Sequence, residues 1–478
     1  MNYCIYINLF GEEPMDKKKI AFILHKAQIA AAAVLFLLML YNCGRYIDLR
    51  INGFSKTLSP VPEADRRVLL SAGTGTDAEQ NRTFLRPVFI GVKNVVGMHG
   101  AGVDSESGKK LAESAFSYMA ELFSGQSENV AFGSEKEKEK YINSLKNADN
   151  YILLGFLSDI PASCVLPCIS DYGYDYTKQM YFNFRNLFIL PDSDGNLYGI
   201  AVSSSLDVNI LKPDGDFQFN AKELESYNNS TGFVPFEFAD TPYVKPLLKN
   251  TVNVHDFRVS TAADKLGRQT DSDWILSTMQ AFSLNLNLAK TFVTRDGSVL
   301  NYVDGSNELL FYQNGDVVFN SADDGVHLSE YLGYNPQSKD GYTFGQKLEA
   351  VRKLTEMLDK EITGNYADLC FYEAVYTASG DRLEIRLKYF ADAVSVTEKE
   401  YDAVFAISSN SLVYASYSAL CCDKLEGRDS FIPQYYADML SGGNENSVSY
   451  AVLERKDENS DVYKAVWASK IETSAKGE

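Results

Sequence analysis

Residues 289–319 read AKTFVTRDGSVLNYVDGSNELLFYQNGDVVF. Three turn dipeptides, Asp296-Gly297, Asp304-Gly305 and Asn314-Gly315, recur between short runs rich in Val, Leu, Tyr and Phe. Asp-Gly and Asn-Gly supply the positive φ that tight hairpin turns need, so this spacing predicts a β-meander. Immediately upstream, residues 271–283 start on an acid and present Trp274, Ile275, Met279 and Phe282 at helical spacing, which predicts a helix lying on that meander. The order repeats downstream. A helix over 344–362 carries Leu348, Val351, Leu354 and Leu358 on one stripe and stops at Gly364; strands follow over 369–377 and 383–390. In the second of these, Leu383, Ile385, Leu387 and Tyr389 alternate with Glu384, Arg386 and Lys388, the period of a strand buried on one face. Strands over 401–407 and 412–420, a helix over 433–440, and strands over 448–454 and 462–471 complete the chain. The predicted class is α+β, with antiparallel sheets each covered by helices on one face.

Working upstream, a β-rich segment spans 84–96, and Leu111, Ala115, Met119 and Leu122 mark an amphipathic helix over 105–125. A second helix over 134–148 is an alternating Glu-Lys string, a solvated face rather than a binding patch. Residues 151–157 read as a short buried strand stopped by Asp159 and Pro161. Residues 180–190 and 198–210 read as a hairpin around Asp194-Gly195. The expected organisation is a cytoplasmic start (1–19), a transmembrane helix (20–43), a juxtamembrane connector (44–82), a first α+β unit (83–215), a linker with the helix-meander unit (216–340) and a last α+β unit (341–478).

The membrane helix rests on the uncharged run Ala27 to Tyr41, about long enough to cross a bilayer. Lys17, Lys18, Lys19 and Lys26 precede it, which by the positive-inside rule places residue 1 in the cytoplasm and the remainder outside the cell. Met15, followed by Asp16 and three lysines, is the natural start, with the first 14 residues a mis-assigned leader. No small-x-small site follows the run, which argues against cleavage, and Asn42 before Cys43 argues against lipidation. The small residues Ala30, Ala31 and Ala33, with Val34, Leu37 and Leu38, are the expected packing face toward another transmembrane helix. At 478 residues the chain exceeds one ordinary core. Its 45 basic against 64 acidic residues leave a net charge of −19, which speaks against nucleic acid or an anionic membrane surface as partner.

The chemistry-bearing residues form no catalytic pattern. His99, His255 and His327 have no second ligand at helical spacing, and Cys164, Cys168, Cys370, Cys421 and Cys422 make an odd set whose simplest reading is buried thiols. His255-Asp256 reads as an ordinary loop or edge pair. Ser107-Gly-Lys-Lys110 matches Ser-x-x-Lys but coincides with a helix start, where Ser is wanted as a cap. Asp192-Ser-Asp194-Gly195-Asn196 resembles a calcium loop but lacks its spacing and closing Glu, so a hairpin turn is expected. Tyr172, Tyr174, Tyr176, Tyr181, Phe182 and Phe184 read as a half-buried sheet edge before a stacking surface. Neither catalytic residues, cofactor nor metal are expected.

In order and texture the chain resembles the YycH and YycI group. The segments that carry the likeness are the short start with one transmembrane helix, LLGFLSDIPAS around Ile160-Pro161, the meander quoted above, residues 344–420, and the closing VYKAVWASKI around Trp467. These are membrane-anchored regulators of the YycFG (Wal) two-component system of low-GC Gram-positive bacteria, and the last unit also resembles PepSY-like folds. The resemblance implies a non-enzymatic extracytoplasmic partner of a sensor histidine kinase, with a second single-pass regulator as a further partner. Two other classes stay open from sequence: a PepSY-like inhibitor or chaperone of an exported peptidase, and an exported cell-wall hydrolase.

Overall fold

The computed structural model describes residues 84–478 apart from 102–105, 170–179, 230–232, 268–271, 337–338, 340, 360–361, 363–365, 378–381, 392–393, 398, 432, 435–436, 438–446, 457–459 and 472–478. The expected anchor over 20–43, its connector, and most of the helix expected over 433–440 lie outside the described residues. Among the described residues no helix is long and apolar enough to cross a membrane.

Two large sheets carry the fold. The first has nine strands: β1 (Phe89–Asn94), β2 (Gly97–Ala101), β3 (Gln126–Asn129), β4 (Tyr151–Pro161), β5 (Asn183–Pro191), β6 (Leu197–Val202), β7 (Val208–Lys212), β8 (Val234–Phe238) and β9 (Pro246–Leu248). Their spatial order is β3-β7-β6-β5-β4-β1-β2-β8-β9, antiparallel throughout. Helix α1 (Glu106–Ser124) buries Leu111, Ala115, Met119 and Leu122 against the face bearing Ile152, Leu154, Leu187 and Ile189. Helix α2 (Glu135–Lys146), capped by the Ser134 hydroxyl, buries Ile142 and Leu145 against the opposite face, where Tyr151, Leu153 and Phe188 stand. This sheet is therefore covered on both faces, not on one as expected. Double cover explains why β4 opens on an apolar run, Tyr151 to Leu157, instead of an alternating one. It also corrects the strand's length: β4 passes through Asp159 and ends at Pro161, because the register shift between Gly155 and Ile160 lets it bend and continue. The hairpin expected around Asp194-Gly195 is β5 with β6, but its second arm, expected over 198–210, is two strands, β6 and β7, separated by a turn in which the Ser203 N–H donates to the Asp207 carbonyl and the Asp207 N–H to the Ser203 hydroxyl.

The second sheet has fourteen strands among the described residues: β10 (Val252–Thr261), β11 (Lys290–Val293), β12 (Val299–Asp304), β13 (Asn307–Tyr312), β14 (Asp316–Ser321), β15 (Val326–His327), β16 (Asp368–Tyr376), β17 (Arg382–Ala391), β18 (Val394–Ser395), β19 (Ala403–Ser408), β20 (Ser411–Ser418), β21 (Leu420–Phe431), β22 (Ser447–Arg455) and β23 (Val462–Ile471). The meander β11-β12-β13-β14 is built on the three predicted turns, with Gly297, Gly305 and Gly315 at φ of 68°, 62° and 82°. At Gly315 a Cβ would also lie 2.5 Å from the Thr261 side chain, so this turn needs glycine twice over. The meander joins the later strands through β14 and β20. One continuous sheet thus runs across residue 340, as the first runs past residue 215 to β9. All pairs are antiparallel except β18 with β22.

Helix α3 (Asp273–Ala281) seats Trp274 edge-on against Phe311 at 5.2 Å, and Phe282 at its end stacks on Phe319 at 4.9 Å. Helix α4 (Phe344–Asp359) buries the predicted stripe Leu348, Val351, Leu354 and Leu358 in the same core as Leu383, Ile385, Leu387 and Tyr389. On this face the register lines up Val293, Leu300, Phe311, Val317, Tyr417, Ala403, Leu387 and Phe371 side by side from β11 to β16. The two sheets share one apolar core and are tied at its margin by Arg86 to Asp368 at 3.0 Å and by the Ser158 hydroxyl donating to the Tyr372 carbonyl.

Candidate functional site

The expected partner face, Ala30, Ala31, Ala33, Val34, Leu37 and Leu38, lies outside the described residues, as do Tyr172, Tyr174 and Tyr176. The remaining chemistry-bearing residues are scattered and structurally engaged. His327 Nδ1 meets the Ser329 hydroxyl at 2.7 Å and receives the Ser329 N–H, organising the start of the short helix Ser329–Leu332. His99 stands on β2 opposite Val92 and Pro235. His255-Asp256 lies within β10, which pairs with β21 along its length and with β23 at Phe257 and Arg258, and Asp256 forms an ion pair with Lys456 at 2.8 Å. The sequence reading missed β10 because the bulge between His255 and Phe257 breaks its alternation.

The five described cysteines are free and buried. Burial pushes the Cys164 and Cys168 thiols far up, and Cys421 to about 11, which suppresses thiolate and hence nucleophilic character. Ser107 falls inside the first turn of α1. Asp192 closes a hairpin turn, its Oδ1 accepting the Asp194 and Asn196 N–H groups at 2.8 Å each. The Asn196 side-chain amide, donating to Oδ2 at 3.1 Å, and then those backbone bonds hold its carboxyl below the usual range. Phe182 and Phe184 pack on Phe123, while Tyr181 is exposed. Among the described residues no three His, Cys, Asp or Glu side chains stand where they could share a metal.

Among the apolar residues that the fold leaves exposed, two groups stand together at strand ends or edges. The β1-β2 turn exposes Val95 and Val96 at 82% and 67%, with Asn94 Oδ1 accepting the Val96 N–H and its Nδ2 donating to the Leu224 carbonyl. The larger patch is the free end of the second sheet. There, among the described residues, β11 pairs with β12 alone, and residues 290–297 are all exposed. Phe292 and Val293 are 54% and 59% exposed, and Leu288 and Leu286 stand bare in the approach to the strand. Val293 ends the long core-facing row, beyond the cover of α3. Phe292 lies on the other face, opposite Asn301.

The edge's backbone polarity follows from one bond. Thr294 N–H donates to the Val299 carbonyl at 3.1 Å. Antiparallel ladders alternate bonded and non-bonded pairs, so Phe292 and Lys290 also bond inward while Thr291 and Val293 direct N–H and C=O outward. Lys290 and Arg295 flank this stretch, and neither forms an ion pair among the described residues. Nothing in the local pattern of KTFV distinguishes it from the other meander strands; that it is terminal is decided by which distant strand β14 finds.

Sequence comparison adds nothing to this geometry, since no family model and no curated protein matches the chain. Structural comparison does. The crystal structure of YycH from Bacillus subtilis superposes with a TM-score of 0.52 at 12% identity, covering 81% of this chain and 94% of that one. An uncharacterized protein from Eubacterium rectale gives 0.31 at 11% identity over 48% and 82% of the two chains. The latter likeness is too slight to argue from, and the former establishes that residues of this chain adopt a YycH-like fold.

Proposed function

We propose that the chain is a non-enzymatic, membrane-anchored extracytoplasmic regulator that adjusts a sensor histidine kinase of the YycFG type. The observation that carries this reading is the YycH-like fold spanning 94% of that protein's chain. Such extensive likeness argues for a shared architecture rather than one borrowed module. In this reading the run over 20–43 is the anchor and Ala30, Ala31, Ala33, Val34, Leu37 and Leu38 pack against kinase helices. The cytoplasm holds residue 1, the remainder lies outside the cell, and a second single-pass regulator completes the assembly.

Two measurements test it. Crosslinking the full-length chain in its native membranes should recover a histidine kinase; recovery of an exported peptidase in its place would replace the reading with an inhibitor or chaperone role. Exchanging Ala30 to Tyr41 for an unrelated apolar helix should abolish control of the kinase's target genes while leaving export intact. Unchanged target-gene expression would refute the kinase assignment.

A further inference from the structure

We infer that the open edge of β11 is a strand-addition site for an extended segment of a partner protein, apolar at its centre and acidic at its ends. The inference rests on the reading of this chain as a protein-contact module and does not depend on which protein it contacts.

Three observations converge on β11. First, natural sheets protect terminal strands with inward charges, proline, bulges or covering loops, because an open row of N–H and C=O groups templates pairing. Here Thr291 and Val293 present that row outward, in a four-residue strand that carries Lys290 at one end and neither proline nor bulge. Second, the apolar row that crosses the sheet does not end in a polar residue: Leu300 is 5% exposed and its neighbour Val293 is 59%. One further strand would continue the row and cover Val293 on one face, with Phe292 gaining a neighbour on the other. Third, the ends of the stretch are cationic in a chain of net charge −19. The acids next to them in the meander turns are hydrogen-bonded locally, Asp296 accepting from Thr294 and Ser298 and Asp304 accepting the Asn285 N–H at 2.8 Å, and among the described residues neither forms an ion pair with Lys290 or Arg295.

Charge selects the occupant: a segment with carboxylates at its ends meets Lys290 and Arg295. Main-chain bonds would supply much of the affinity and the alternating side chains the specificity, as in other strand additions.

The test uses the full chain in detergent and two fluorescent peptides of alternating Val and Thr, one flanked by glutamates and its twin by lysines. The glutamate-flanked peptide should bind at least about tenfold more tightly at low salt, with the preference shrinking as salt is added. Val293→Pro should abolish binding while leaving the melting temperature nearly unchanged, because it removes an outward donor and no bond to β12. Lys290→Glu with Arg295→Glu should reverse the preference toward the lysine-flanked peptide, a gain that an unfolded variant could not produce. Equal binding of the two peptides, or binding unaffected by Val293→Pro, would overturn the inference. So would concentration-dependent self-association of the chain that Val293→Pro abolishes, since the edge would then belong to a second copy. Peptide binding with kinase control absent would refute the proposed function alone; kinase control intact without peptide binding would refute this inference alone.

Discussion

Strands β4 and β11 are both apolar in sequence, and the structure treats them in opposite ways. Along β4, successive residues face α1 and α2 in turn, and Ile152, Leu153 and Leu154 are all essentially unexposed. Along β11, four residues that include Phe292 and Val293 are exposed on both faces and along one edge. The difference teaches that apolar content alone does not indicate burial; what matters is whether other elements reach both faces. In β4 the apolar residues contribute to stability, whereas in β11 they remain available for contact.

The sharpest way to break this comparison is to truncate matched positions. Leu154→Ala should cost about 2–5 kcal/mol, the range for a buried Leu whose cavity cannot collapse, read as a lowered denaturant midpoint of the full chain. A cost below about 1 kcal/mol would mean that the double cover is looser than described. Between the extremes lies β17, where Lys388 is 2% exposed and donates to the carbonyls of Thr397, Lys399 and Glu400. Lys388→Met should cost about 1–3 kcal/mol, since those three carbonyls lose their donor, and proteolysis should begin between Val394 and Asp402.

A smaller effect concerns acid. Burial raises the Asp402 carboxyl above the ordinary range, outweighing the donors Thr397 and Tyr389 and the charges of Lys388 and Lys399. The folded state thus holds this proton to higher pH than the unfolded state does. Its stabilising contribution is fully present below the ordinary carboxylate range and is lost as pH rises through the elevated value. Asp402→Asn should flatten that part of the stability-pH curve; a curve of unchanged slope would show that the carboxyl is not elevated. The smallest effect is expected at the edge itself, where Val293→Ala should move the denaturation midpoint by the equivalent of less than about 0.5 kcal/mol. A loss comparable to that of Leu154→Ala would mean that β11 is covered after all.

Much of the fold was legible. The helix stripes of α1, α3 and α4 and the four meander strands could be read because their determinants are local: apolar spacing sets a helix face and Asp-Gly or Asn-Gly sets a turn. The strands β10 and β21 were not legible. The first carries His255 and Asp256 at a bulge and the second is charged over Asp423 to Asp429, so neither shows the period-two signal; each exists because it pairs with the other. The interaction edge was hidden for a related reason, since KTFV reads like any half-buried strand.

By itself the sequence determined the elements and the turns between most of them, along with a surface charge that disfavours nucleic acid, because hydrophobic periodicity, φ preference and net charge are properties of neighbouring residues or of composition. Only the tertiary structure decided that the meander joins β20, that the first sheet is covered twice and that β11 is left bare, because each depends on contacts between residues far apart in the chain, whose partners no local pattern specifies.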